Sequence, residues 1–169
     1  SDEAYIRIEA PGLKPRNEHE DSPVDRQSRI EGFRQERFAG GTATFVGAGG
    51  MNGYTAIGLQ REGWGHTKVV DPDVAELSNL SRQPYYESDV FKNKGISLAR
   101  RLAKESVAPA IIEGYARSFQ EAIELGIDLS ADVVINGTDN EAARLATARA
   151  YPKTPVIYLA VSETVTNGH

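Results

Sequence analysis

The sequence contains no cysteine among its 169 residues. Disulfide bonds, a thiolate nucleophile and a cysteine-based zinc site are therefore excluded within these residues. It also lacks any apolar run near the length of about 20 residues that a membrane span requires, and the N-terminus carries no apolar signal-peptide core. We therefore expect a cytoplasmic protein that does not associate with membranes.

Basic residues are in the minority, with 19 Lys and Arg against 24 Asp and Glu, which gives a net charge of −5. A nucleic-acid surface would be basic, so this balance argues against a nucleic-acid partner. Hydrophobic residues make up 40% of the chain. A chain of this length and composition can form one globular domain with a buried core.

The N-terminal part of the chain differs in composition from the rest. Residues 4–10 alternate weakly between polar and apolar, as a short strand does, and residues 11–23 carry three prolines and many charges. Such a composition is typical of a linker or a mobile arm. We therefore predict that residues 1–24 form an N-terminal extension or linker, and that a helix follows at residues 25–38.

From residue 42 onward, short β-branched runs alternate with segments of helical spacing. This pattern predicts a Rossmann-like, doubly wound α/β fold with a mainly parallel sheet and helices on both faces. The predicted helices cover residues 52–62, 91–105, 119–125 and 141–150. The predicted strands cover residues 42–46, 68–71, 110–114, 132–136 and 156–160, the last of them buried.

A glycine-rich turn, Gly47 to Gly50, joins the first of these strands to its helix. Glycines let the backbone approach phosphates closely, and a helix N-terminus offers free N–H groups with partial positive charge. Asn52 stands where the third glycine of a dinucleotide-binding motif belongs, and its side chain is expected to crowd the packing of helix on strand. The alternative to a nucleotide site is a tight packing turn without a ligand.

A second group of polar residues follows the next strand. Asp71 ends that strand, and in Rossmann-type sites an acid about 20 residues beyond the glycine loop binds ribose hydroxyls. Taken alone, Asp71 fits NAD and ATP equally well. The segment after it lies at the carboxyl edge of the sheet, where ligands of open α/β sheets bind, and an arginine there can bind a phosphate with two parallel hydrogen bonds. The candidates are Asp73, Asn79, Arg82 and Gln83, with Lys94 at the start of the next helix.

Thr138-Asp139-Asn140 follows the fourth of these predicted strands, residues 132–136, at the same edge of the sheet. Asp and Asn are favoured N-caps, and a carboxylate here is suited to holding Mg²⁺ beside phosphate oxygens. One of Asp139 and Asn140 is expected to cap the following helix and to leave the other free. Arg144 lies near the same helix start and is a further candidate.

Together these motifs resemble the ThiF/MoeB family over about residues 26–169. That family includes the adenylyltransferases of thiamine and molybdopterin biosynthesis and the adenylation domains of ubiquitin-activating enzymes. The resemblance implies that the protein binds Mg-ATP. It also implies activation of the C-terminal carboxylate of a ubiquitin-like or sulfur-carrier protein, or of a peptide, as an acyl-adenylate with release of pyrophosphate.

The resemblance further implies roles for single residues. Asp71 would hold the ribose, and Asp139 would serve Mg²⁺. Arg29, or Arg26 in its place, would reach across a homodimer to the γ-phosphate in the partner's site. The predicted catalytic residues are Arg82, Lys94, Asp139 and Arg29, and the predicted ATP-binding residues are Gly47, Gly49, Gly50, Asp71, Asp73, Asn79, Arg82, Gln83, Lys94, Asp139 and Asn140.

The sequence departs from the family pattern in two ways. Asn52 replaces a family glycine, and the later half of the family, with its acceptor groove, zinc cysteines and transfer thiol, is not present in these residues. We therefore expect residues 25–169 to be an ATP-binding adenylation domain that is truncated on its C-terminal side and incomplete for catalysis. The alternatives are an NAD-dependent Rossmann oxidoreductase and a non-catalytic, dimerising partner of an adenylating enzyme. The identity of the carboxylate and the fate of the acyl-adenylate stay open.

Overall fold

The structure, a computed structural model, describes residues 4–160. Within them five helices are named α1 to α5, and short 3-10 turns lie between these elements. The helices are Gln35–Ala39, Gly50–Arg61, Lys94–Glu105, Phe119–Glu124 and Glu141–Ala150. The strands β1 to β6 are Tyr5–Ala10, Thr42–Val46, His66–Val70, Ala110–Tyr115, Val133–Asn136 and Val156–Tyr158.

The six strands form one sheet in the order β1-β4-β3-β2-β5-β6. Strand β1 pairs antiparallel with β4, and every other neighbouring pair is parallel. The prediction of a mainly parallel, Rossmann-like α/β sheet is therefore confirmed. The strands and helices predicted from residue 42 onward are also confirmed, with shifts of a few residues at their ends.

Helices cover both faces of the sheet. Successive side chains of a strand point to opposite faces, so neighbouring residues of β2 pack against different helices. Phe45 of β2 packs in one apolar cluster with Leu98 and Leu102 of α3. Its neighbour Val46 packs in the other cluster, with Phe119 of α4. Among residues 4–160, no helix is long and apolar enough to cross a membrane.

Strand β1 pairs with β4 along its length, so the short strand predicted from the alternation of residues 4–10 is confirmed. Tyr5 and Tyr115 both donate hydrogen bonds to Glu113 Oε1, at 2.7 and 3.1 Å, and His66 Nε2 lies 2.7 Å from Glu113 Oε2. Burial acts to raise the pKa of Glu113, but the hydrogen bonds from Tyr5, His66 and Tyr115 outweigh it and lower the pKa below its ordinary value. The boundary at residue 24 stays a prediction.

Two further expectations need correction. The helix predicted over residues 25–38 is instead a 3-10 turn at Gln27–Arg29 followed by α1, because Gly32 between them has a φ of +81° that a helix does not allow. The last strand, β6, is not buried along its length. Ile157 and Tyr158 are 50% and 40% exposed, because β6 lies at the edge of the sheet among the described residues.

Candidate nucleotide-binding site

A cavity of about 960 Å³ opens at the carboxyl edge of the parallel strands. Parallel strands end at the same edge, so the loops that follow β2 to β6 meet there although they are far apart in sequence. Each of these loops contributes to the lining. They supply Gly47 and Gly49, Asp71 to Asp73, Ser118 to Gln120, Gly137 to Asn140, and Leu159 with Ala160.

Most residues that the sequence singled out for a nucleotide line this one cavity. In particular, Arg82, Lys94 and Asp139 come from three separate stretches of chain and share it. A single triphosphate site requires such convergence. The predicted residues in the lining are Gly47, Gly49, Gly50, Asp71, Asp73, Arg82, Gln83, Lys94, Asp139 and Asn140.

The glycine loop makes close contacts with two of the other segments. Gly47 has a φ of +90°, and a Cβ atom there would lie 3.0 Å from Thr138 Cγ2. A Cβ atom on Gly50 would lie 2.5 Å from the carbonyl oxygen of Arg82. Side chains at these two positions would therefore push the loop away from the segments that carry Arg82 and Asp139.

Asn52 fits into the structure without disturbing this packing. Its side chain is 1% exposed, and Nδ2 donates to the carbonyl oxygens of Val46 at 2.9 Å and Gly47 at 2.8 Å. The Ile135 carbonyl on β5 lies 3.3 Å from the same nitrogen. A Cβ atom on Gly137 would collide with Asn52 Oδ1, so the glycine makes room for the amide. The expected crowding is thus relieved, and the amide links the glycine loop to the sheet.

Asp71 is buried at the end of β3 and supports two neighbouring backbone segments. Its Oδ2 accepts a hydrogen bond from the Ala48 amide at 2.6 Å, and its Oδ1 accepts one from the Asp73 amide at 2.7 Å. Burial raises the pKa of Asp71, and the two amides and the charge of Lys94 partly oppose this increase. Each carboxylate oxygen keeps a second lone pair for a ligand hydroxyl.

The helix cap after β5 is Asn140, since its Oδ1 accepts a hydrogen bond from the Ala143 amide at 3.2 Å. The adjacent Asp139 is therefore not needed as the cap. Arg144 holds this loop in place: its Nε donates to the Thr138 carbonyl at 3.0 Å, and its guanidinium carbon lies 5.7 Å from the ring centre of Tyr158. Arg144 thus links the loop that carries Asp139 to the end of β6.

The donor set fits a magnesium-bound nucleotide better than a metal held by protein alone. Within residues 4–160, no group of three or more His, Cys, Asp or Glu side chains is arranged to hold a metal ion. Mg²⁺ is commonly bound by one or two carboxylates together with substrate phosphates. Asp139 in a cavity with three cationic side chains (Arg82, Lys94 and Arg144) and a glycine loop satisfies this pattern.

Asn79 is not brought into the lining. Its Oδ1 accepts a hydrogen bond from the Glu76 amide at 2.9 Å, and its carbonyl oxygen accepts bonds from the Arg82 and Gln83 amides at 3.1 and 2.9 Å. The side chain therefore closes a 3-10 turn, and the backbone orients the two residues that do line the cavity.

Neither Arg29 nor Arg26 lines the cavity of its own chain; Arg29 ends a 3-10 turn and Arg26 precedes it. Gln27 in that turn is hydrogen-bonded to Glu62, which follows the C-terminal end of α2. The glycine loop lies at the other end of this helix, whose 12 residues span about 18 Å. The role of Arg29 at a nucleotide, from a second copy of the chain, therefore stays a prediction.

Several lining residues were missed in the sequence. Met51 and Tyr54 on α2 and Ser118 to Gln120 before and within α4 all face the cavity. A signal was available for the second group, because Ser118 and Glu121 form a capping box at the start of α4, directly after a strand. Together, the fold and its glycine-lined cavity define a Rossmann-like α/β domain.

The matches to known proteins agree with this class. The model of the ThiF family matches residues 25–167. The chain belongs to the ThiF family. It is 31% identical over 119 residues to a probable molybdopterin-synthase adenylyltransferase of Porphyra purpurea, covering 70% of this chain and 30% of the relative. It is 30% identical over 132 residues to the sulfur carrier protein ThiS adenylyltransferase of Bacillus subtilis, covering 74% and 38%.

A solved structure of E. coli MccB with ATP shares the fold. The TM-score is 0.62 at 23% sequence identity, and the match covers 75% of this chain and 38% of that one. The chain thus spans about a third of the length of the relatives it matches.

Proposed function

We propose that this chain binds Mg-ATP in the cavity and serves the adenylation of the C-terminal carboxylate of a ubiquitin-like or sulfur-carrier protein, or of a peptide, in the cytoplasm. The observation that carries the proposal is the convergence of Arg82, Lys94 and Asp139 on one glycine-lined cavity. The names of the two curated relatives and the ATP in the MccB structure point to the same chemistry.

The reaction would be attack of a carboxylate on the α-phosphorus of ATP, with pyrophosphate as the leaving group. No general base is required, since a carboxylate is already ionised near neutral pH. Arg82 and Lys94 would offset the negative charge that grows on the leaving group, as preorganised charges aimed at developing charge do in other enzymes. Mg²⁺, held beside Asp139, would neutralise phosphate charge.

Asp71 would bind the ribose through the free lone pairs of its carboxylate. With this contact the base would lie towards β4, and the phosphates would lie towards the glycine loop and Asp139, because β3 lies between β4 and β2 in the sheet. A homodimer would supply Arg29 from the second copy. An NAD-dependent oxidoreductase would use the glycine loop and Asp71 but gives no reason for Arg82, Lys94 and Asp139 to share the cavity.

Two lysines of one helix provide a matched test. Lys94 begins α3 and lines the cavity, whereas Lys104 is exposed near the other end of the same helix. We expect Lys94→Ala to weaken binding of ATP-Mg by about 10-fold or more, the size of a lost hydrogen bond to a charged group. Lys104→Ala should bind as the unaltered protein does, and calorimetric titration measures both.

The catalytic part of the proposal is tested by exchange of labelled pyrophosphate into ATP. In the full-length parent protein, Arg82→Ala should lower the exchange rate by about 100-fold or more, as loss of one preorganised electrostatic donor does. Equal binding of NAD and ATP by the unaltered protein, or normal exchange by Arg82→Ala, would contradict the proposal.

A further inference from the structure

The peptide groups on both sides of Ala48 are fixed by side chains from two other segments. The Ala48 amide donates to Asp71 Oδ2 at 2.6 Å, and the Tyr85 hydroxyl donates to the Ala48 carbonyl oxygen at 2.5 Å. Ala48 and Tyr85 are 0% and 6% exposed, whereas Gly47 and Gly49 on either side of Ala48 line the cavity. Tyr85 therefore holds the glycine loop from its buried side.

The Tyr85 bond determines where the next amide points. The peptide between Ala48 and Gly49 is trans and planar, so its carbonyl and its N–H point in opposite directions. Because the carbonyl is held towards the buried phenol, the Gly49 N–H points away from it, towards the side on which Gly49 lines the cavity. Burial, and secondarily the charge of Asp71, raise the pKa of Tyr85, so the phenol keeps its proton and remains a donor at neutral pH.

We propose that Tyr85 is a positioning residue that aims the Gly49 amide at a phosphate group of the nucleotide. This inference rests on the proposed function of the cavity. The Gly47 amide already donates to the Val70 carbonyl, and the Ala48 amide donates to Asp71. The Gly49 amide is therefore the first amide of the loop that is not used by either of these two hydrogen bonds. A helix N-terminus follows directly at Gly50, which adds favourable partial charge for an anion.

The loop needs such a residue because its glycines do not select one peptide orientation. Gly49 has a φ of −75°, and rotation of the Ala48–Gly49 peptide by half a turn would bring φ into the positive range. Glycine adopts positive φ as readily as negative φ. The rotated peptide would direct the Ala48 carbonyl oxygen at the anion and repel it, and the bond from Tyr85 is lost in that orientation.

The test compares two tyrosines that each donate to a backbone carbonyl. Tyr85→Phe removes the bond to Ala48 and a longer contact of 3.3 Å to the Lys94 carbonyl. The control Tyr151→Phe removes a bond of 2.6 Å to the Leu129 carbonyl, away from the cavity lining. Calorimetric titration measures the affinity for ATP-Mg and for adenosine, which carries no phosphate. A misdirected Gly49 amide weakens the binding of ATP alone, whereas general damage to the fold weakens the binding of both ligands.

Tyr85→Phe should bind ATP about 10-fold more weakly and adenosine as tightly as before, because only the phosphate contact is lost. Tyr151→Phe should leave both affinities unchanged although both variants lower the melting temperature. Unchanged ATP affinity in Tyr85→Phe, or an equal loss for both ligands, overturns the proposal for Tyr85.

A measurement on the unaltered protein keeps the proposal testable if Tyr85→Phe does not fold. Titration with ATP-Mg followed by amide nuclear magnetic resonance should move the Gly49 proton strongly downfield and the Ala48 proton far less. Saturable ATP binding without a Gly49 shift overturns the role of Tyr85 and leaves the function intact. Absence of ATP binding in the unaltered protein overturns both.

Discussion

Replacement of Asn52 tests whether this departure from the glycine motif stabilises the loop. Asn52→Ala removes the hydrogen bonds to the Val46 and Gly47 carbonyls, each worth about 1 kcal/mol. It also removes Oδ1, which is buried without a hydrogen-bond partner among the described residues, and this returns about 1 kcal/mol. The small void left by the amide costs about 1 kcal/mol. We expect the free energy of unfolding to fall by about 2 kcal/mol.

Asn52→Asp is a sharper variant because it keeps the shape of the side chain. A carboxylate oxygen would replace Nδ2 and face the carbonyl oxygens of Val46, Gly47 and Ile135, which offer no proton. An uncompensated buried charge of this kind costs about 3–5 kcal/mol. We therefore expect Asn52→Asp to be clearly less stable than Asn52→Ala, although it is the closer match in volume.

Urea unfolding followed by circular dichroism measures these differences. Thr55→Ala is the control, since Thr55 lies on the exposed face of the same helix and its replacement should change stability by no more than about 0.5 kcal/mol. The denaturant slope should be the same for all variants, because the surface exposed on unfolding hardly changes. An Asn52→Ala protein as stable as Thr55→Ala would refute the reasoning.

The structure supports two further predictions. The folded pKa of Glu113 lies below its ordinary value of 4.5, so its carboxylate stabilises the fold above pH 4.5 and this contribution is lost as the pH falls through the folded pKa. Glu113→Gln should therefore flatten the acid limb of the stability curve, and a limb identical to that of the unaltered protein would contradict the assignment. In the full-length parent protein, the Arg29→Ala and Asp139→Ala variants should each lose pyrophosphate exchange. An equilibrated mixture of the two should regain part of it, because mixed dimers contain one site with both residues intact. A mixture without activity would exclude action of Arg29 across a dimer.

The sheet was predictable from the sequence because its signals are local. Short β-branched runs and helical spacing define each unit from residue 42 onward, and parallel pairing of such units places the loop after every strand at one edge. Arg82, Lys94 and Asp139 could therefore be expected together without knowledge of any contact between them. The glycine loop and Asp71 were expected for the same reason.

The features that escaped prediction depend on distant pairs of residues. Nothing in residues 4–10 indicates that Tyr5 will meet Glu113, 108 positions further along the chain. The role of Tyr85 depends on an oxygen of Ala48, 37 positions earlier. The residue type of Asn79 suits both a ligand of the nucleotide and the closing residue of a local turn. Only the structure shows that its side chain closes the turn.

The N-terminal strand also has a consequence for self-association. An unpaired strand edge is a template for aggregation, and β1 occupies the edge that β4 would otherwise present to other molecules. On one face of β1, Arg7 and Glu9 form an ion pair, and charged side chains on an edge strand discourage further pairing. Proteolytic removal of the first ten residues would therefore be expected to leave the cavity in place and to yield a protein that precipitates more readily.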